Sequence, residues 1–164
     1  MSSKLTKFIS LAITLWIAKV FLLSLPYKFT KHPDTEHIFG TIGAWMSGNF
    51  SQGLGEFFSS YAAYLVGSVE LIASALLLLA SAIWILNAFN LLKPALAHRH
   101  LYIAGGLLSS AVMSGAAFFH LFTPLGIEVI HQGASDEGSL FYAAVSILVL
   151  GLVLAFINKI QKTT

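Results

Sequence analysis

"SSYAAYLVGSVELIASALLLLASAIW", Ser59 to Trp84, decides the fold. It is longer than the ~20 apolar residues a helix needs to cross a bilayer, and Glu70 is its one acid. A carboxylate at the centre of a spanning helix costs about 2.5–3.5 kcal/mol on transfer scales, so Glu70 must be neutralised or screened from lipid. Ala63, Gly67, Ser74 and Ser81 fall near the same helical face as Glu70. Small residues let helices approach closely, so that face is expected to pack against protein.

The rest of the chain agrees with a membrane setting. Of 164 residues, 57% are hydrophobic and 10% charged, with mean hydropathy +0.81; a soluble domain carries about 25% charged residues. Apolar runs at 8–25, 61–86, 101–122 and 140–157 predict four spans. The expected fold is all-α, a four-helix transmembrane bundle forming a single integral membrane domain over 1–164, with the lipid bilayer as its first partner. Between spans one and two, Asp34 is the expected N-cap. Ile38, Ile42 and Trp45 or Met46 then recur at helical spacing, which predicts a short amphipathic interfacial helix. "SGNFSQGLGE" is expected to break it.

Lys4 and Lys7 precede span one, Lys93 and Arg99 separate spans two and three, and Lys159 and Lys162 follow span four. The positive-inside rule therefore predicts cytoplasmic termini. Every acid except Glu70 falls in an exterior segment under this topology. The first run has a basic flank like a signal peptide's, but Leu25, Pro26 and Tyr27 offer no small-x-small cleavage site, so it is expected to be retained. A net charge of +2 with no basic run argues against a nucleic-acid partner. The absence of cysteine excludes disulfides, thiol relays and covalent haem attachment.

Lys19 lies about 9 Å below the outer end of its span, Glu70 about 14 Å and His120 about 3–5 Å, at ~1.5 Å per residue. A long lysine stem can cover such a difference, so a Lys19–Glu70 pair is expected, with a protonated Glu70 as the alternative. Two roles stay open for it: a register device, or part of an outward-facing polar cavity. Six histidines raise the question of metal. His32, His37 and His131 with Glu128 are weak candidates without recognised ligand spacing, so no metal site is expected. Only His120 lies inside a span, which argues against a bis-histidine haem. P-loop, dinucleotide and nucleophile-elbow motifs are absent.

The stretches "FLLSLPYKFTKHPD", "VGSVELIASALLLLASA" and "AAFFHLFTPLG" followed by "DEGSLFYAAVSILVLGLVLAF" resemble the DoxX-like family of small four-span bacterial membrane proteins, with Lys28 matching the family's lysine, Glu70 its glutamate, and His120 and Glu137 comparably placed. Leu25, Ala73 and Ser74 stand where the family often has glycine. The resemblance implies a bacterial inner-membrane protein, linked through its relatives to quinone-coupled oxidoreductase complexes. The expected function is a small accessory or quinone-interacting subunit of such a system, with a membrane oxidoreductase or a second copy as partner. A small-solute binding or transport module, or a structural partner, is the alternative. The expected pocket is lined by Lys19, Lys28, Glu70 and His120.

Overall fold

The computed structural model describes residues 3–92 and 97–160. Lys93 and Lys162, which enter the expected topology, lie outside the described residues. Five helices form: α1 Ser3–Phe29, α2 Pro33–Asn49, α3 Gln52–Ala88, α4 Arg99–Phe122 and α5 Ser139–Lys159. All but α2 are long and apolar enough to cross a membrane. The fold is therefore an all-α bundle of four candidate spans. Leu15, Leu22, Leu65, Leu79, Leu107 and Leu152 face outward, whereas Thr6, Ser10, Thr14, Glu70, Ser74, Ser109 and Asn158 are buried. An apolar exterior around a partly polar interior suits lipid, because helices in hydrocarbon gain nothing by burying leucine.

The four long helices close a ring in the order α1, α3, α4, α5, and α2 packs along α3. The core joins Ile13, Ile17 and Phe21 of α1 to Ala73 and Leu77 of α3, Tyr102 and Met113 of α4, and Ile147 and Leu154 of α5. α4 and α5 meet at glycine: a Cβ on Gly106 would lie 2.6 Å from the carbonyl oxygen of Gly151. Ser110 Oγ donates across this contact to the Leu148 carbonyl at 2.8 Å. At the end of the bundle that holds the chain termini, Asn158 Nδ2 donates to Ser10 Oγ at 2.9 Å. Arg99 Nε donates to the Asn158 carbonyl at 2.7 Å, closing an α5 C-terminus whose last carbonyls lack helical partners.

Three boundaries differ from expectation, each for a packing reason. α1 does not stop at Leu25. It runs through Pro26, which removes only one donor near the helix end, and Thr30 N still bonds the Pro26 carbonyl at 3.0 Å. That extra turn carries Lys28. α2 begins at Pro33 with His32, not Asp34, as N-cap; His32 Nδ1 accepts the Asp34 amide at 3.3 Å. "SGNFSQGLGE" is helical apart from Phe50 and Ser51. α3 starts nine residues before the expected span, because Gly55 lets it lie against Gly43 of α2, where a Cβ would come within 2.7 Å of the Gly55 carbonyl. Between α4 and α5 a two-stranded hairpin, Ile130–His131 with Ala134–Ser135, turns through Gln132 and Gly133, both at positive φ.

Candidate functional site

Glu70 is 2% exposed and lies on the inward face of α3. Its partner is Lys28, not Lys19. Lys28 Nζ lies 2.9 Å from Glu70 Oε2 and 3.1 Å from Oε1, and donates to Ser24 Oγ at 2.8 Å. Ser24 Oγ donates in turn to Glu70 Oε2 at 2.8 Å. Ser24 and Lys28 are one helical turn apart, so α1 presents both to the same carboxylate. One turn before Glu70, Gly67 makes room for the lysine stem: a Cβ there would sit 3.4 Å from Lys28 Cβ. The carboxylate is thus neutralised by a cation and further stabilised by a hydroxyl donor, as a buried charge requires.

The expected Lys19–Glu70 pair fails on helical phase. Lys19 precedes Lys28 by nine residues, about two and a half turns at 3.6 residues per turn, so the two point to opposite sides of α1. Lys19 is exposed, with Nζ 6.0 Å from the centroid of the Trp16 ring.

Above the core, at the end that carries α2, the helices enclose a cavity of about 830 Å³. Lys28, Glu70 and His120 all line it; Lys19 does not. Phe21, Met113 and Ala144 close it toward the core, while Phe39, Phe58 and Phe119 make its walls aromatic. Leu125 roofs it, packed with Ile42 and Val129. α1 and α5 touch each other little. Of the hydrogen bonds that join them, Asn158 to Ser10 lies toward the terminal end, and Trp16 Nε1 to Ser146 Oγ, at 3.0 Å, lies near the middle of α1, below the cavity. Nearer α2, exposed Leu23, Tyr27 and Leu140 border the cavity where these two helices part.

His120 is 7% exposed, in the last turn of α4. Its Nδ1 lies 2.7 Å from the Gly126 carbonyl, and its ring meets Phe141 edge-on at 5.8 Å. Asp136 faces the same cavity. Its carboxylate accepts the amides of Val129 at 2.7 Å, Gly138 at 3.0 Å and Leu140 at 3.0 Å, so it organises the α4–α5 loop and caps α5. Burial pushes the Asp136 carboxyl up; the amides of Leu140, Val129 and Gly138, with nearby His120, outweigh this and hold its pKa below the ordinary carboxylate value. A folded-state pKa below the unfolded one gives stability that is present above about pH 3.9 and lost as pH falls through the folded value. Hydrogen-exchange protection of the Val129 and Leu140 amides should therefore collapse in that acid window. In Asp136→Asn it should be weak at every pH. PH-independent protection in the native chain would refute this role.

Asp34 also lines the cavity. His131 Nδ1 on the hairpin donates to its Oδ1 at 2.8 Å, tying the hairpin to the start of α2. That bond from His131 holds the Asp34 pKa down against desolvation, helped by the His32, His131 and His37 charges. His37 stacks on His131 at 4.5 Å, whereas Glu128 is engaged by Ser135 Oγ. Among the described residues no group of three or more such side chains is placed to hold a metal ion.

Ser24, Asp34 and Asp136 were absent from the expected pocket. The spacing of Ser24 to Lys28 was a readable signal. The two aspartates enter only because α2 and the α4–α5 loop fold over the bundle. The chain matches no family model, no curated protein and no solved structure.

Proposed function

We propose that the chain binds a lipid-soluble ring compound with an oxygen-bearing head, of the quinone class, as a small subunit of a membrane oxidoreductase system. One observation carries this reading: the cavity is aromatic and aliphatic over most of its wall, with its charged and titratable head groups, Lys28, Glu70, His120, Asp34 and Asp136, set among a few hydroxyls such as Ser24, Thr35 and Ser139. Its volume lies within the roughly 300–1,000 Å³ typical of pockets for small organic ligands. A strongly hydrated solute would find few partners on such walls. A quinone head is apolar in its ring and accepts at its oxygens. The Lys28 ammonium has three N–H donors, and it could turn one of them from the Ser24 hydroxyl or one of the two Glu70 oxygens toward such an oxygen. The parted α1 and α5 give a membrane-dissolved ligand a route from the side. The DoxX-like resemblance, with its lysine and glutamate at Lys28 and Glu70, supports the same class. The Lys/Arg distribution would put the cavity in the exterior half of a bacterial inner membrane, with the termini cytoplasmic.

In lipid nanodiscs, a short-tailed ubiquinone analogue at a hundred times its Kd should stabilise the protein by about 2.7 kcal/mol. Ala116→Phe, which fills the cavity from α4 without touching the ion pair, should keep the fold and abolish the gain. No gain in the native chain, or an equal gain in the variant, overturns the reading. A gain from a water-soluble solute alone favours the transport-module alternative.

A further inference from the structure

We propose that the cavity prefers a ring bearing a hydroxyl hydrogen, the quinol or phenolic form, over the corresponding carbonyl form, and that His120 Nε2 is the atom that selects it. This rests on the quinone-class reading and adds which chemical form is held.

The argument begins with the Gly126 carbonyl. A carbonyl oxygen only accepts, so the contact at 2.7 Å requires that His120 Nδ1 carry a hydrogen. The carbonyl is fixed where the chain folds back over the end of α4. Thr123 Oγ1 donates to the Phe119 carbonyl at 2.6 Å, Leu125 N donates to Thr123 Oγ1 at 3.3 Å, and Gly126 N donates to the Thr123 carbonyl at 3.3 Å. Gly126 itself has φ +72, a conformation suited to glycine. A rigid acceptor on one ring nitrogen sets the state of the other, so in the neutral ring Nε2 is a bare lone pair.

The two ring nitrogens lie on opposite sides of the imidazole. His120 lines the cavity and its Nδ1 is committed to the loop, which leaves Nε2 as the ring nitrogen available to a bound ligand. The only hydrogen bond that His120 makes among the described residues is the one through Nδ1. Phe141 holds the ring edge-on and opposes a flip.

A carbonyl oxygen presented to this lone pair would set two acceptors face to face. A hydroxyl would donate to it. The opposite wall supplies Lys28, whose ammonium donates to an oxygen in either form. The preference therefore comes from His120, with Lys28 contributing to both forms alike. One hydrogen bond to a neutral group is worth about 1 kcal/mol net, or roughly fivefold in affinity.

The test uses three ligands with one ring and one tail, bound to the intact chain in nanodiscs: the quinone, the quinol kept reduced, and the quinol dimethyl ether. The ether cannot donate and does not change oxidation state. The quinol should bind at least about fivefold more tightly than the ether or the quinone. His120→Phe should remove that difference while still binding the quinone. As a readout independent of that variant's folding, the imidazole nitrogen resonances of the native chain should show Nε2 unprotonated when free and shifted by the quinol alone. If all three ligands bind equally, or Nε2 is protonated in the neutral ring, the inference is wrong while the cavity reading stands. If none binds, both fall.

Discussion

Glu70→Ala is expected to destabilise the protein by about 3–5 kcal/mol, because it strands the Lys28 ammonium among apolar neighbours. The lysine side chain is only 16% exposed and leans on Gly67, so it cannot swing into water without giving up its packing. Ser24 would also lose its carboxylate acceptor. Lys28→Met should be costly by the same logic, leaving a carboxylate with one hydroxyl donor. The double variant Glu70→Leu with Lys28→Met should recover most of the loss, since no charge is left to solvate. A double-mutant cycle by reversible unfolding in detergent measures the coupling. Lys19→Met is the internal control. It lies on the opposite side of α1, so its effect should simply add to that of Glu70→Ala. Coupling of Glu70 to Lys19 but not to Lys28 would reverse the assignment made here.

The second large effect is expected where α4 and α5 touch. A Cβ on Gly106 or on Gly151 would fall 2.6 Å from the other glycine's carbonyl oxygen, nearer than side-chain carbons are found. Main chain cannot turn aside as a flexible side chain does, so the helices must separate. Gly106→Val or Gly151→Val should cost about 1–3 kcal/mol from overpacking, or more. Separation would also stretch the Ser110 bond to the Leu148 carbonyl and widen the wall that holds Ala144 and Met113 under the cavity. Gly115 lies on the same helix with open space where a Cβ would go. Gly115→Ala should therefore be neutral or gain up to about 1 kcal/mol from helix propensity. Equal losses at Gly115 and Gly106 would mean that close approach of the main chains is not what Gly106 and Gly151 supply to this helix pair.

Much of the fold could be read before any coordinates. Runs of apolar residues of spanning length mark a helix because hydrocarbon leaves the backbone no other local way to satisfy its polar groups. The small-residue face of α3 carries the same information: Ala63, Gly67, Glu70, Ser74 and Ser81 are all buried. α1 was harder. Both of its sides are apolar, one for lipid and one for the core, so hydrophobicity does not set its rotation. Its hydroxyls do: Thr6, Ser10 and Thr14 are buried, and Ser24 and Lys28 continue their face. Reading that stripe would have chosen Lys28 over Lys19, where matching depths alone chose the wrong lysine.

The sequence by itself determined that Glu70 needs a partner, because a lone charge in a spanning helix is costly wherever that helix sits. Which partner it has, and that His120, Asp34 and Asp136 share its cavity, only the tertiary structure decided. Those contacts join α1 to α3, the hairpin to α2, and the α4–α5 loop to the end of α5. Each depends on helix rotation and on a loop folded over a bundle end, quantities fixed by many weak packing contacts together and by no local run of residues.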